Sequence, residues 1–215
     1  MNPKYDFSLY LVTDENISDD NTIFEIVKHA VKGGVTMVQL REKKLSTKDF
    51  VEKAFELKKI LTPFNVPLII NDNVEVALAV KADGIHIGQS DMSFEKVRKL
   101  VPENMIVGLS VETIEQAIEA EKYDVNYLGV SPVFSTLTKI NFNEKPWGLE
   151  GLKKLKSFSR HKLVAIGGIN IENAEDVIKA GADGLAVVSA ICSSSNPESA
   201  AKQLIEIIKK ARDFK

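Results

Sequence analysis

One cysteine, Cys192, stands in 215 residues, so no internal disulfide can form and a cysteine-rich metal site is excluded. No stretch approaches the roughly 18 consecutive apolar residues that a membrane-spanning helix needs. The opening residues Met1 to Asp6 hold no apolar run followed by small residues, so no secretory leader is expected. An excess of charge of one sign is also missing: 28 Lys+Arg against 30 Asp+Glu leave 28 − 30 = −2. That balance offers no bulk attraction for nucleic acid or an anionic membrane, though it leaves room for a local basic pocket. These absences point to a cytoplasmic protein whose partners are small molecules, with no nucleic-acid or membrane partner.

What is present is globular. Hydrophobic residues make up 44% and charged residues 27%, which excludes a disordered or fibrous chain. A chain of this size buries roughly 70–75% of its unfolded surface, enough for one large core. No Pro/Gly/Ser-rich linker divides it, so residues 1–215 are expected to form one domain.

Short β-branched runs alternate with longer amphipathic stretches from end to end. The runs are Phe7–Thr13, Met37–Arg41, Pro67–Asn71, Gly84–Ile87, Ile106–Ser110, Tyr127–Val130, Leu163–Ile166 and Gly184–Val188. Between them the spacing is helical, as in Phe50, Ala54, Leu57 and Leu61, or Leu204, Ile207, Ile208 and Ala211. Leu68-Ile69-Ile70 and Leu185-Ala186-Val187-Val188 are apolar at consecutive positions, as in parallel strands buried on both faces. Eight strand–helix units of about 27 residues each (215/8) predict an α/β fold of the (β/α)8 TIM-barrel type. Alternation alone leaves an open doubly wound sheet as the alternative. Lys81-Ala82-Asp83-Gly84 and Gly181-Ala182-Asp183-Gly184 echo each other at helix-to-strand turns, where glycine permits positive φ.

In such a barrel the chemistry gathers where each strand ends. Gln39, Arg41 and Lys43 alternate to one side after the second strand; Asn71 and Asp72 follow the third. Asp91 follows the fourth, Ser110 ends the fifth, and Thr136 to Lys139 stand in the long sixth loop. Charges at the ends of apolar strands are costly unless partnered. Asp72 and Asp91 follow neighbouring strands and together suit a hard cation such as Mg²⁺, one ion per site; singly, each also suits helix capping. Arg41, Lys43 and Lys139 then read as a diphosphate site, with Thr136 and Thr138 adding hydroxyl donors beside Lys139; surface ion pairs are the alternative. Gly167-Gly168 and Val188-Ser189, after strands seven and eight, suggest a second, monophosphate cradle, or else a simple turn. His29 and His161 are expected at the surface. His86, in strand four, and Cys192 are expected to pack in the core.

These strand-end residues closely resemble the thiamine-phosphate synthase family. The stretches that carry the likeness are YLVTD at 10–14, GGVTMVQLREK at 33–43, LIINDNVEVAL at 68–78 and ADGIHIGQSD at 82–91. VGLS at 107–110, TLTK at 136–139, AIGGI at 165–169 and AGADGLAVVSAI at 180–191 continue it in the same order. The resemblance implies a transferase that joins a hydroxymethylpyrimidine diphosphate to a hydroxyethylthiazole phosphate, giving thiamine phosphate and pyrophosphate. It implies catalytic roles for Arg41, Lys43, Ser110 and Lys139, and Mg²⁺ held by Asp72 and Asp91. It places the whole run Gln39, Leu40, Arg41, Glu42 and Lys43, with Asn71, Ser110 and Lys139, on the pyrimidine diphosphate. Thr136, Leu137, Thr138, Gly168, Val188 and Ser189 fall to the thiazole phosphate, which moves the threonines away from the diphosphate. The sixth loop departs from the family's proline-rich pattern, reading Ser135-Thr136-Leu137-Thr138-Lys139-Ile140. A thiazole tautomerase on the same barrel, or a non-catalytic phospholigand-binding regulator, are the alternatives, and a homo-oligomer stays open.

Overall fold

The computed structural model describes residues 5–14, 20–135 and 145–213. Eight parallel strands close into a barrel: β1 (Leu9–Val12), β2 (Met37–Leu40), β3 (Leu68–Asn71), β4 (Gly84–Ile87), β5 (Ile106–Val111), β6 (Tyr127–Val130), β7 (Lys162–Ile166) and β8 (Gly184–Val187). The β8–β1 ladder, with Leu9 opposite Leu185 and Leu11 opposite Val187, seals the ring and removes the open-sheet alternative. Around it run α1 (Asp20–Lys32), α2 (Thr47–Leu61), α3 (Val74–Ala79), α4 (Phe94–Leu100), α5 (Ile114–Ala120), α6 (Gly148–Lys156), α7 (Ala174–Lys179), α8 (Ser189–Cys192) and α9 (Pro197–Asp213). The strands match the apolar runs to within a residue or two at either end.

Two cores follow from the strand alternation. One face of each strand points inward, where Tyr10, Val12, Met37, Ile69, Ile106, Tyr127, Val164 and Ala186 fill the barrel, with Phe7 closing one end. The other face meets the helices, so Leu11, Val38, Leu40, Ile70, Ile85 and Leu128 pack against Leu57, Val76, Val97 and Ala117. Burying one such leucine or isoleucine contributes about 1.5–3 kcal/mol, and the outer layer holds most of them. On α2, the spacing Phe50, Ala54, Leu57 and Leu61 buries one stripe as expected, and Ser46 caps the helix by accepting from the Asp49 N–H.

The repeated Ala-Asp-Gly turn has a different physical basis from the one expected. Positive φ falls on Lys81 (49°) and Gly181 (118°), not on Gly84 or Gly184. Those two glycines allow close approach instead: a Cβ at Gly184 would lie 1.7 Å from the Phe7 carbonyl oxygen. The aspartates are the pins. Asp83 Oδ2 accepts from the Leu68 N–H at 2.9 Å, and Asp183 Oδ2 from the Leu163 N–H at 3.0 Å. Asn126 does the same for Val107 and Thr36 for Leu9, so a polar residue ahead of each even strand anchors the start of the odd strand before it. Asp183 also pairs with Lys156 and Lys162, and α9 is tied to the barrel where Arg212 donates to Ser8 Oγ at 2.6 Å.

Candidate active site

The carboxyl ends of the strands carry the polar residues, and alternation decides which of them face inward. On β2 and the residues after it, Gln39, Arg41 and Lys43 line a cavity of about 280 Å³. Leu40 and Glu42, expected to touch substrate, point the other way. Leu40 is fully buried in the outer core, and Glu42 forms an ion pair with Lys53 of α2 at 2.7 Å. A one-residue step along a strand reverses the face, so their side chains cannot reach the cavity that Arg41 lines. Arg41 itself is placed by its N–H, which donates to Thr13 Oγ1 at 3.0 Å.

Neither aspartate caps a helix. Asp72 adopts a left-handed φ of 62°, held by its N–H bonding the His86 carbonyl at 2.8 Å, and Asn73 caps α3 in its place. Asp91 folds back to accept from the Gly88 N–H at 2.7 Å, two residues before Ser93, the N-cap position of α4. The two turns bring both carboxyl groups to one cavity, and Lys43 Nζ pairs with Asp72. Burial and the hydrogen bond to Asp91 push Asp72 up to about 6, against the pull of Lys43. Burial also acts to raise Asp91, but its bonds to Asp72 and the Gly88 N–H, with Lys43 and His86 nearby, hold it below the usual carboxylate range. Two neighbouring carboxyl groups, one held up and the other held down, are a donor set that a divalent cation relieves. No cluster of three or more His, Cys, Asp or Glu ligands exists among the described residues. The two carboxyl groups suit an ion that takes two protein oxygens and fills its other positions with water and phosphate, as Mg²⁺ does.

The cavity floor is a polar line inside an apolar barrel. Ser110, at the end of β5, bonds His86 Nε2 at 2.8 Å, and His86 Nδ1 bonds the Tyr127 hydroxyl at 2.9 Å. His86 is therefore the satisfied buried ring expected of it. Gln89 reaches over the top to donate to the Ser110 carbonyl.

A second cavity, about 300 Å³, adjoins the first over strands seven, eight and one. It is lined by Gly167, Gly168, Asn170, Val188, Ser189 and Ala190, and by Thr13 and Asp14. Gly167 and Gly168 take φ of 104° and 64°, and their missing side chains let β7's loop pack on Pro132 and Ser135. Arg41 and Ser131 border both cavities, with Val12, Ile166 and Ala186 as the shared apolar wall. The expected residues Thr136, Leu137, Thr138 and Lys139 lie outside the described residues.

A profile of thiamine monophosphate synthase matches residues 9–191. The chain belongs to the thiamine monophosphate synthase family. A thiamine-phosphate synthase from Albidiferax ferrireducens is 50% identical over 200 residues, 93% of this chain and 91% of that protein. One from Clostridium acetobutylicum is 46% identical, covering 95% of this chain and 96% of that one. Among solved structures, thiamine phosphate pyrophosphorylase from Pyrococcus furiosus superposes with a TM-score of 0.89 at 36% identity, over 98% of this chain and 99% of that one.

Within this family barrel, several cavity residues escaped sequence reasoning. Thr13 and Asp14 follow β1, and the strand-end rule applied to the first strand would have found them. Tyr10 and Tyr127 look like ordinary core aromatics in sequence, yet their hydroxyls meet at 2.9 Å in the barrel. His161 is buried, not at the surface: it precedes β7 and its Nε2 lies 3.2 Å from the Ala120 carbonyl at the end of α5.

Proposed function

We propose that the protein condenses 4-amino-2-methyl-5-(diphosphooxymethyl)pyrimidine with 4-methyl-5-(2-phosphooxyethyl)thiazole, releasing pyrophosphate and thiamine phosphate. The observation that carries the reading is the pair of adjoining cavities bordered jointly by Arg41 and Ser131, one with paired carboxylates and a lysine, the other with a glycine-rich phosphate-sized cradle. In this reading the first cavity takes the pyrimidine diphosphate on Gln39, Arg41, Lys43, Asn71 and Ser110. The second takes the thiazole phosphate on Gly168, Val188 and Ser189.

Asp72 and Asp91 hold Mg²⁺ in this scheme, which when bound neutralises charge on the diphosphate oxygens. Arg41 and Lys43 add fixed positive charge where the leaving group gathers electrons. The bond from the pyrimidine methylene to oxygen breaks first, because the electron-rich aminopyrimidine carries the resulting cation. The thiazole nitrogen, anchored through its phosphate beside Arg41, then closes on that carbon; fixed positioning supplies much of the acceleration. That nitrogen bears no proton, so no general base is needed. The shared apolar wall of Val12, Ile166 and Ala186 gives the cation a low-polarity side where the two cavities meet.

The two-cavity assignment is tested by opposed variants. Ser189→Asp places a negative charge in the cradle and is expected to raise KM for the thiazole phosphate while sparing the pyrimidine diphosphate. Asp91→Asn is expected to raise the Mg²⁺ requirement and KM for the pyrimidine diphosphate only. If both variants weaken the same substrate, the assignment is wrong. Isomerisation of the thiazole without ring joining would favour a tautomerase instead, and binding without pyrophosphate release a regulator.

A further inference from the structure

Five side chains form one unbroken hydrogen-bond line across the barrel floor. Gln39 Nε2 donates to the Tyr10 hydroxyl at 2.8 Å, and Tyr10 and Tyr127 meet at 2.9 Å. Tyr127 meets His86 Nδ1 at 2.9 Å, and His86 Nε2 meets Ser110 Oγ at 2.8 Å. The line is built in by the sheet. His86, Gly108 and Tyr127 stand opposite one another on β4, β5 and β6, and a Cβ at Gly108 would lie 2.2 Å from Tyr127 Cζ. At Gly129 a Cβ would lie 2.9 Å from His86 Cε1, so the missing side chains make room for both rings.

Each phenol has one proton to give, and burial pushes both tyrosines well above their ordinary range, so both keep it. A line of such groups takes its direction from its end. The Gln39 amide N–H gives a proton into Tyr10, so Tyr10 donates to Tyr127 and Tyr127 donates to His86 Nδ1. His86 is then the Nε2–H tautomer and donates to Ser110. Ser110, with His86 on a lone pair, has its own proton left for the cavity. In the reverse order Ser110 would spend that proton on His86 and show an anion only lone pairs.

We propose that Gln39 sets the proton order of this line and so holds Ser110 as a hydrogen-bond donor toward the diphosphate, with Tyr10, Tyr127 and His86 as positioning residues. The role of Ser110 rests on the proposed reaction; the proton order does not. An amide suits the task because it cannot titrate.

Nitrogen NMR of the histidine-labelled, substrate-free protein reads the order directly, with His29 and His161 assigned by single replacement. His86 is expected with Nε2 protonated and Nδ1 bare. Gln39→Glu, at a pH that ionises the new carboxylate, has only an acceptor at that end, so the proton is expected to move to His86 Nδ1, two phenols away. In turnover, the same variant is expected to lose about 10²-fold in kcat, as when an oriented donor is removed, with KM for the thiazole phosphate unchanged. A proton on Nδ1 in the parent protein, or the same tautomer in both proteins, would overturn the proposal. An altered tautomer with parental kcat would overturn the role of Ser110. If Gln39→Glu does not fold, Tyr127→Phe cuts the line, and His86 is expected to lose its single tautomer; retention would overturn the proposal. Absence of any turnover in the parent protein, with the tautomer as expected, would refute the proposed reaction and leave the proton order supported.

Discussion

Replacing Lys53 by methionine removes the partner of Glu42 from an ion pair whose side chains are only 8% and 3% exposed. Methionine matches the length of the lysine stem, so packing is largely kept and the loss is electrostatic. Breaking a buried ion pair by removing one of its members costs about 3–5 kcal/mol. For a chain of this length, each kcal/mol moves Tm by roughly 2–4 °C, so a fall of about 6–20 °C is expected in calorimetry. The consequence reaches the site because Glu42 stands between Arg41 and Lys43. When Glu42 seeks water, its neighbours leave their inward face, so KM for the pyrimidine diphosphate should rise even at temperatures where the variant is folded. The double variant Glu42→Leu with Lys53→Met replaces both ions by apolar groups and should recover most of the lost Tm, since buried ion pairs exchanged for apolar residues are often neutral. A Lys53→Met protein melting within about 2 °C of the parent, or a double variant no better than the single, would refute the reasoning.

Three further outcomes follow from the geometry. Gly108→Ala drives a methyl group into the Tyr127 ring, so denaturant unfolding should show a loss of about 1–3 kcal/mol, with kcat falling as the ring is displaced. Arg41→Ala should raise KM for both substrates in steady-state kinetics, because Arg41 borders both cavities; an effect on one alone would contradict the shared wall. Burial acts to raise the Asp183 carboxyl, but Lys156, the Leu163 N–H and Lys162 outweigh it and hold it below its ordinary 3.8. A depressed carboxyl stabilises the fold above the unfolded value and loses that contribution as pH falls through the folded one. Asp183→Asn should therefore be less stable than the parent at neutral pH, with the gap closing in acid; a gap that is constant with pH would dismiss the charge.

The barrel could be read from the sequence because parallel strands buried on both faces write themselves as consecutive apolar residues, as in Leu68-Ile69-Ile70. Closure could not, since the β8–β1 ladder is a long-range pairing with no local signature. On β2, simple alternation separated Gln39, Arg41 and Lys43 from Leu40 and Glu42, and the side chains lie on the two faces accordingly. The polar role of Tyr10 and Tyr127 was hidden because a tyrosine in a strand reads as an apolar ring until its hydroxyl meets a partner 117 residues away. His161 looked exposed because its partner, the Ala120 carbonyl at the end of α5, is distant in the chain. The aspartates could be identified, but their escape from helix capping depends on the left-handed turn at Asp72 and the fold-back of Asp91 on Gly88.

The central claim is that two phosphorylated heterocycles are joined in adjoining cavities with a divalent ion on the Asp72–Asp91 pair. The most direct measurement mixes purified protein, Mg²⁺, the pyrimidine diphosphate and the thiazole phosphate, and follows pyrophosphate and thiamine phosphate together. Both are expected in equal amounts, and both should disappear when EDTA removes the ion. Pyrophosphate without thiamine phosphate, or neither product despite binding of both ligands, would contradict it.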